Sequence, residues 1–169
     1  MSRSDKSYRV AIGVMVAVVS INANAAVGTK TTTFQAQTNV VDQCNAVTAT
    51  ALNFATYTPD AASASTATST ITVACTKNSA VTIALDKGAN GASTSARQMK
   101  NASGNTLNYG LFSDSSHNNN WDDVNGKVAF TGNGLGNPVS HTVYGKIPES
   151  QLDTAPGSYS DTITVTVGY

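Results

Sequence analysis

The side chains able to do chemistry in this chain are common ones without a telling arrangement. His117 and His141 are its two histidines, set among many serines and ten acidic residues. A hydrolytic triad needs nucleophile, base and orienting carboxylate in register in space, and abundance of Ser and Asp says nothing about that. No Gly-x-Ser-x-Gly elbow is present. Gly132-Asn133-Gly134-Leu135-Gly136 lacks the strand-then-helix setting of a dinucleotide fingerprint and reads as a loop. Asp114, Asp122 and Asp123 are oxygen ligands in principle, but their spacing does not fit the twelve-residue calcium loop, and a solvated turn is the better reading. Cys44 and Cys75 cannot build a structural zinc site by themselves, and neither histidine has ligand spacing to them. His117 lies in an Asn-rich loop and reads as exposed; His141 opens a strand and reads as a surface or packing residue. Trp121, alone among polar residues, is either a sugar-stacking platform or a cap folded over the core, and the cap is the preferred reading. Asn101-Ala102-Ser103 matches a glycosylation acceptor, a pattern too short to weigh much. No catalytic residue, cofactor or metal is assigned, and an enzyme is not expected.

The chemistry left to the cysteines is oxidation, which depends on where the chain goes. Arg3, Lys6 and Arg9 precede an apolar run from Val10 to Ile21. That run is too short to span a bilayer and suits an export signal. Ala23-Asn24-Ala25 then offers a small-x-small cleavage site. Residues 1–25 are therefore expected to be a signal peptide, with a retained anchor as the alternative. Two cysteines behind such a signal point to one disulfide in an oxidising compartment rather than two buried thiols. Net charge is zero, and no basic patch stands out, so nucleic acid is not an expected partner. No second apolar run of spanning length follows, so no stable membrane insertion is expected.

The elements that would position these residues read as strands throughout. Phe34, Ala36, Thr38 and Val40 alternate with polar residues as an extended segment. A short strand is expected over 49–54 and an exposed low-complexity loop over 61–70. Ile71, Val73 and Cys75 alternate, as do Val81, Ile83 and Leu85, and the pair is expected to form a hairpin. Further strands are expected over 97–100 at a sheet edge, 107–111, 128–131 and 143–147. No helical period is sustained, and seven or eight short strands with Gly, Pro and Asn turns indicate a β-sandwich of one domain. Tyr159, Ile163, Val165, Val167 and Tyr169 share one face of a terminal strand. This strand has no successor, and an apolar strand needs a neighbour on its open edge. The alternating segment before Cys44 could lie beside another subunit's terminal strand by strand addition. Fully extended, its roughly 15 residues reach about 50 Å.

Several of these stretches together resemble one family. They are Cys44; Leu52-Asn53-Phe54 and Tyr57; the TITVACT run through Cys75 and Thr76; the Leu85–Gly88 turn; Arg97 and Met99; LNYGLFSD from Leu107; Trp121; Tyr144-Gly145-Lys146-Ile147; and the run from Gly157 to Thr162. The chain resembles the spore coat protein U domain family, which also forms the pilins of archaic chaperone–usher pili in Gram-negative bacteria. The resemblance implies an all-β fold, an incomplete immunoglobulin-like β-sandwich completed by a donor strand. Residues 26–43 would be the donor-strand extension and 44–169 the pilin domain. Phe34, Ala36, Thr38 and Val40 match the donor positions. Ile163, Val165, Val167 and Tyr169 would face first a periplasmic chaperone and then a like pilin subunit, delivered at an outer-membrane usher. The implied destination is the periplasm and then the cell surface, in a fimbrium serving adhesion and biofilm formation. Ala36 and Thr38 are smaller than a strong donor would carry, so weaker donor binding is expected. Two other readings stand beside this one: a self-complemented secreted module that binds carbohydrate at the Trp121 loop, and a coat protein of a spore or cyst.

Overall fold

A computed structural model describes residues 28–169, so the expected signal peptide lies outside the described residues. The chain divides into two units, 1–38 and 39–169, and each is taken by itself. Of the first, residues 28–38 are exposed and form no regular structure. The polar residues between Phe34, Ala36, Thr38 and Val40 leave this alternation with little apolar area to bury, so no element forms.

The second unit contains eight strands: β1 Cys44–Ala49, β2 Ser65–Cys75, β3 Ala80–Leu85, β4 Arg97–Lys100, β5 Thr106–Phe112, β6 Val128–Thr131, β7 Val139–Ile147 and β8 Val165–Gly168. The described residues form no helix. One sheet has the order β1-β2-β7-β5-β4 and the other β6-β3-β8, with every pair antiparallel. Period-two alternation explains the core, because it turns one side of each strand inward. Ile71, Val73, Val81, Ile83, Leu85, Leu107, Tyr109, Leu111, Val143 and Ile147 are all buried.

Four sequence expectations need correction. The strand expected over 49–54 lies earlier, at Cys44–Ala49, and 50–57 is irregular. Register explains the shift: Cys44 stands opposite Cys75 and is bonded to it. The ladder then ends where the Thr50 backbone donates to Thr70. The loop expected over 61–70 is strand from Ser65 onward, because Ser65–Val73 pairs residue for residue with β7. Threonine-rich strands satisfy their backbone in such a ladder, whatever their low complexity. β2 and β3 do not form a hairpin; the turn between them crosses from one sheet to the other. Of the long terminal strand, only Val165–Gly168 joins a ladder.

An open groove as candidate functional site

β8 pairs with β3 on one side, and no described strand lies on the other. An open groove made of two adjoining cavities, of about 400 and 670 Å³, runs past Val165 of β8 in the first and past residues 154–159, upstream of β8, in the second. Ile71, Leu85, Leu111, Val143, Ile163 and Val165 line the first. Leu107, Ile147, Pro59 and Pro156 help line the second. Leu52, Asn53, Phe54, Met99 and Tyr159 border both.

One wall is the segment 50–57. Leu52 and Phe54 are half-buried and alternate with exposed Ala51, Asn53 and Ala55. This is the pattern of a strand that packs by its side chains while its backbone forms no ladder. Tyr57 fixes its end by donating to the Pro148 carbonyl at 2.9 Å.

The other wall is the run from Tyr159 to Val165, which changes sheets. Ser160 and Lys100 exchange backbone hydrogen bonds at the edge of the five-stranded sheet. Four residues later, Thr164 accepts from the Asp86 backbone, and β8 then continues along β3. Two carboxylates hold the crossing. Asp161 accepts from the Tyr109 hydroxyl at 2.7 Å and from the Asn90 amide at 2.9 Å. Asp86 accepts from the Thr164 backbone at 2.9 Å and from Gly88 at 3.0 Å. Burial by itself raises the Asp86 pKa, but these hydrogen bonds, with the nearby Arg97 charge, outweigh it and hold the carboxyl below its ordinary range. Burial, then the bond to Asp161, pushes the Tyr109 hydroxyl far up, so it stays a donor. Gly88 is required here: its φ is +78°, and a Cβ would stand 2.0 Å from the Asp161 carboxylate.

Arg97 braces the corner behind this wall. It is fully buried. Its guanidinium donates to the carbonyls of Leu85, Asp86, Thr94 and Trp121 at 2.7–3.1 Å. Trp121 is 1% exposed and donates its indole N–H to the Ile83 carbonyl. The indole is therefore a cap on the core, and a sugar-stacking role for it fails.

The expected acceptor residues divide. Ile163 and Val165 line the groove, Val167 packs on the core, and Tyr169 is 60% exposed. The expected donor residues are all exposed, Phe34 at 91% and Val40 at 76%. Cys44 and Cys75 are joined as expected. His117, read as exposed, is half-buried and packs edge-on against Phe112 at a positive φ. His141 faces inward onto the Phe130 ring, and burial lowers its pKa. Asp114 and Asp122 accept from backbone amides of their own turns. Missing from the sequence reading were the roles of Leu52, Phe54, Met99 and Gly145. The alternation of Leu52 and Phe54 was the available signal.

The chain matches the Spore Coat Protein U domain over residues 30–166. It belongs to that family. The Spore Coat Protein U domain thus takes in all eight strands from β1 into β8, the groove between them and the exposed segment from Lys30 onward. Among solved structures, the chain is similar to one chain of a pre-assembly complex between the chaperone CsuC and the tip adhesion subunit CsuE, from the archaic chaperone–usher Csu pili of Acinetobacter baumannii. Identity is 25% and the TM-score 0.56, over 77% of this chain and 40% of that one. The Spore Coat Protein U chain therefore spans less than half of that relative's length. No curated protein matches it in sequence.

Proposed function

We propose that this chain is the structural subunit of a surface pilus and polymerises by donor-strand exchange. The observation that carries the reading is the apolar groove along the unpaired edge of β8, in a family member similar to a chaperone–usher pilus protein. An added strand would satisfy the edge by backbone hydrogen bonds and fill the cavities with alternate side chains. Ile163, Val165, Val167 and Tyr169 form the acceptor edge. Phe34, Ala36, Thr38 and Val40 form the donor of the next subunit. A periplasmic chaperone holds the groove first, and an outer-membrane usher hands the subunit on. The assembled fibre stands at the cell surface and serves adhesion and biofilm growth, with no catalytic step.

Fibres joined in this way come apart slowly, so the protein runs as a ladder on denaturing gels unless boiled. Deleting 27–38 removes the donor and leaves a subunit that a chaperone still holds but that cannot extend a fibre. Normal fibres from the deletion variant overturn the donor assignment. A purified, chaperone-free chain that refolds as a stable monomer at neutral pH overturns the polymer.

A further inference from the structure

The groove is not evenly deep, and its shape points to the sequence that fills it. The inner face of β7 presents Val143, Gly145 and Ile147, all buried. Val143 floors the first cavity and Ile147 the second. At Gly145 between them, a Cβ would stand 2.6 Å from Leu52 Cδ2 and 2.8 Å from Phe54 Cζ. The missing side chain is what lets Leu52 and Phe54 descend onto the β7 backbone and fill the floor there. Phe54 is held edge-on against Tyr109, with ring centroids 6.4 Å apart. The groove therefore runs deep, filled, deep.

Resting on the donor-strand reading, we infer that this filled middle selects a donor with small residues at its two central positions, and that the matching donor is the 34–40 segment of a second copy of this chain. Inward positions on a strand recur about every 6.6–6.8 Å. Leu52 and Phe54 close together on the one Gly145 position, but their backbones stand two residues apart, so a strand laid along them passes them at about two such levels. The donor residues run Phe34, Ala36, Thr38 and Val40: large, small, small, branched. Phe34 and Val40 reach the two cavities, while Ala36 and Thr38 pass over Leu52 and Phe54. On this reading, the small residues that looked like a weak donor are the fit itself, and leucine at either position overpacks the middle.

The test uses the full chain refolded from denaturant, with boil-sensitive oligomers followed on denaturing gels. Ala36→Leu and Thr38→Leu alter only an exposed segment, so acceptor folding is unchanged. Each is expected to slow oligomer formation about tenfold or more. Phe54→Ala, which empties the middle, is expected to restore Ala36→Leu. Because Phe54→Ala could also impair folding, synthetic peptides of residues 30–43, wild type and Ala36→Leu, are in parallel offered to the unaltered chain. Preference for the wild-type peptide by about tenfold supports the inference. Leucine variants that oligomerise as fast as wild type, or a leucine peptide that binds as well, overturn the size match while leaving donor exchange standing. A wild-type chain that forms only monomers overturns both.

Discussion

Arg97 shows how one residue can hold a wall of the groove without touching its contents. Its fork of donors ties Leu85, which lines the groove, and Asp86, which anchors the wall at Thr164, to Trp121, which caps the core. Lysine carries the same charge on a single nitrogen and cannot reach the same set of carbonyls. Arg97→Lys is therefore expected to destabilise by about 2–3 kcal/mol, read from the urea midpoint, through buried carbonyls left unpaired. A change under half that size would show that water replaces the guanidinium. Beside it, Asp86 links the same wall to pH. Its folded pKa is depressed by the Thr164 and Gly88 amides against the opposing effect of burial. Its contribution is thus fully present above the unfolded value of about 3.9 and fades as pH falls through the lower folded value. Acid titration of stability below about pH 4 should lose part of its slope in Asp86→Asn. The buried indole of Trp121 gives a third check. Its fluorescence should lie at the short-wavelength end and stay unmoved by added sugars. A sugar-dependent shift would revive the carbohydrate reading.

At the scale of elements, what could be read from sequence was whatever repeats at period two with large side chains. β3, β5, the second half of β2 and the inward face of β8 all have that signature, and all were legible. Ser65–Thr70 was not, because Ser, Thr and Ala look the same in a linker and in a ladder; only the partner β7 distinguishes them. The hairpin failed for a related reason. A four-residue turn permits pairing, but two faces both apolar enough for a core went to opposite sheets. The groove itself was half legible. The apolar face of β8 followed from alternation, whereas the filled middle depends on Gly145 lying beneath Leu52 and Phe54, a long-range contact. Gly145→Ala tests that contact. Its Cβ would meet both side chains inside 3 Å, and these are the movable ends of an irregular segment. The segment should lift, at a cost of about 1–3 kcal/mol. Amide exchange over 51–57 should rise with it. Unchanged exchange would mean that β7 gives way instead.

For the whole molecule, stability is expected to depend on partners, because a sandwich with an open apolar groove leaves part of its core wet. One internal device offsets this. The Cys44–Cys75 bond ties β1 to β2 across a separation of 31 residues. In the chain-entropy account such a closure contributes roughly 3–4 kcal/mol. A small domain with an unfilled groove has little more than that in reserve. Reduced protein, or the Cys44→Ala/Cys75→Ala pair, should therefore unfold near ambient temperature when dilute. Donor binding acts in the opposite direction by mass action. A donor present at a hundred times its dissociation constant adds about 2.7 kcal/mol to the folded state. If each copy is both donor and acceptor, raising the concentration of the cysteine-free chain should restore its melting temperature by several degrees, and deleting 27–38 should abolish that recovery. A melting temperature that stays flat over a hundredfold change in concentration would mean that the groove needs no second chain, and the fold would then have to be complete by itself.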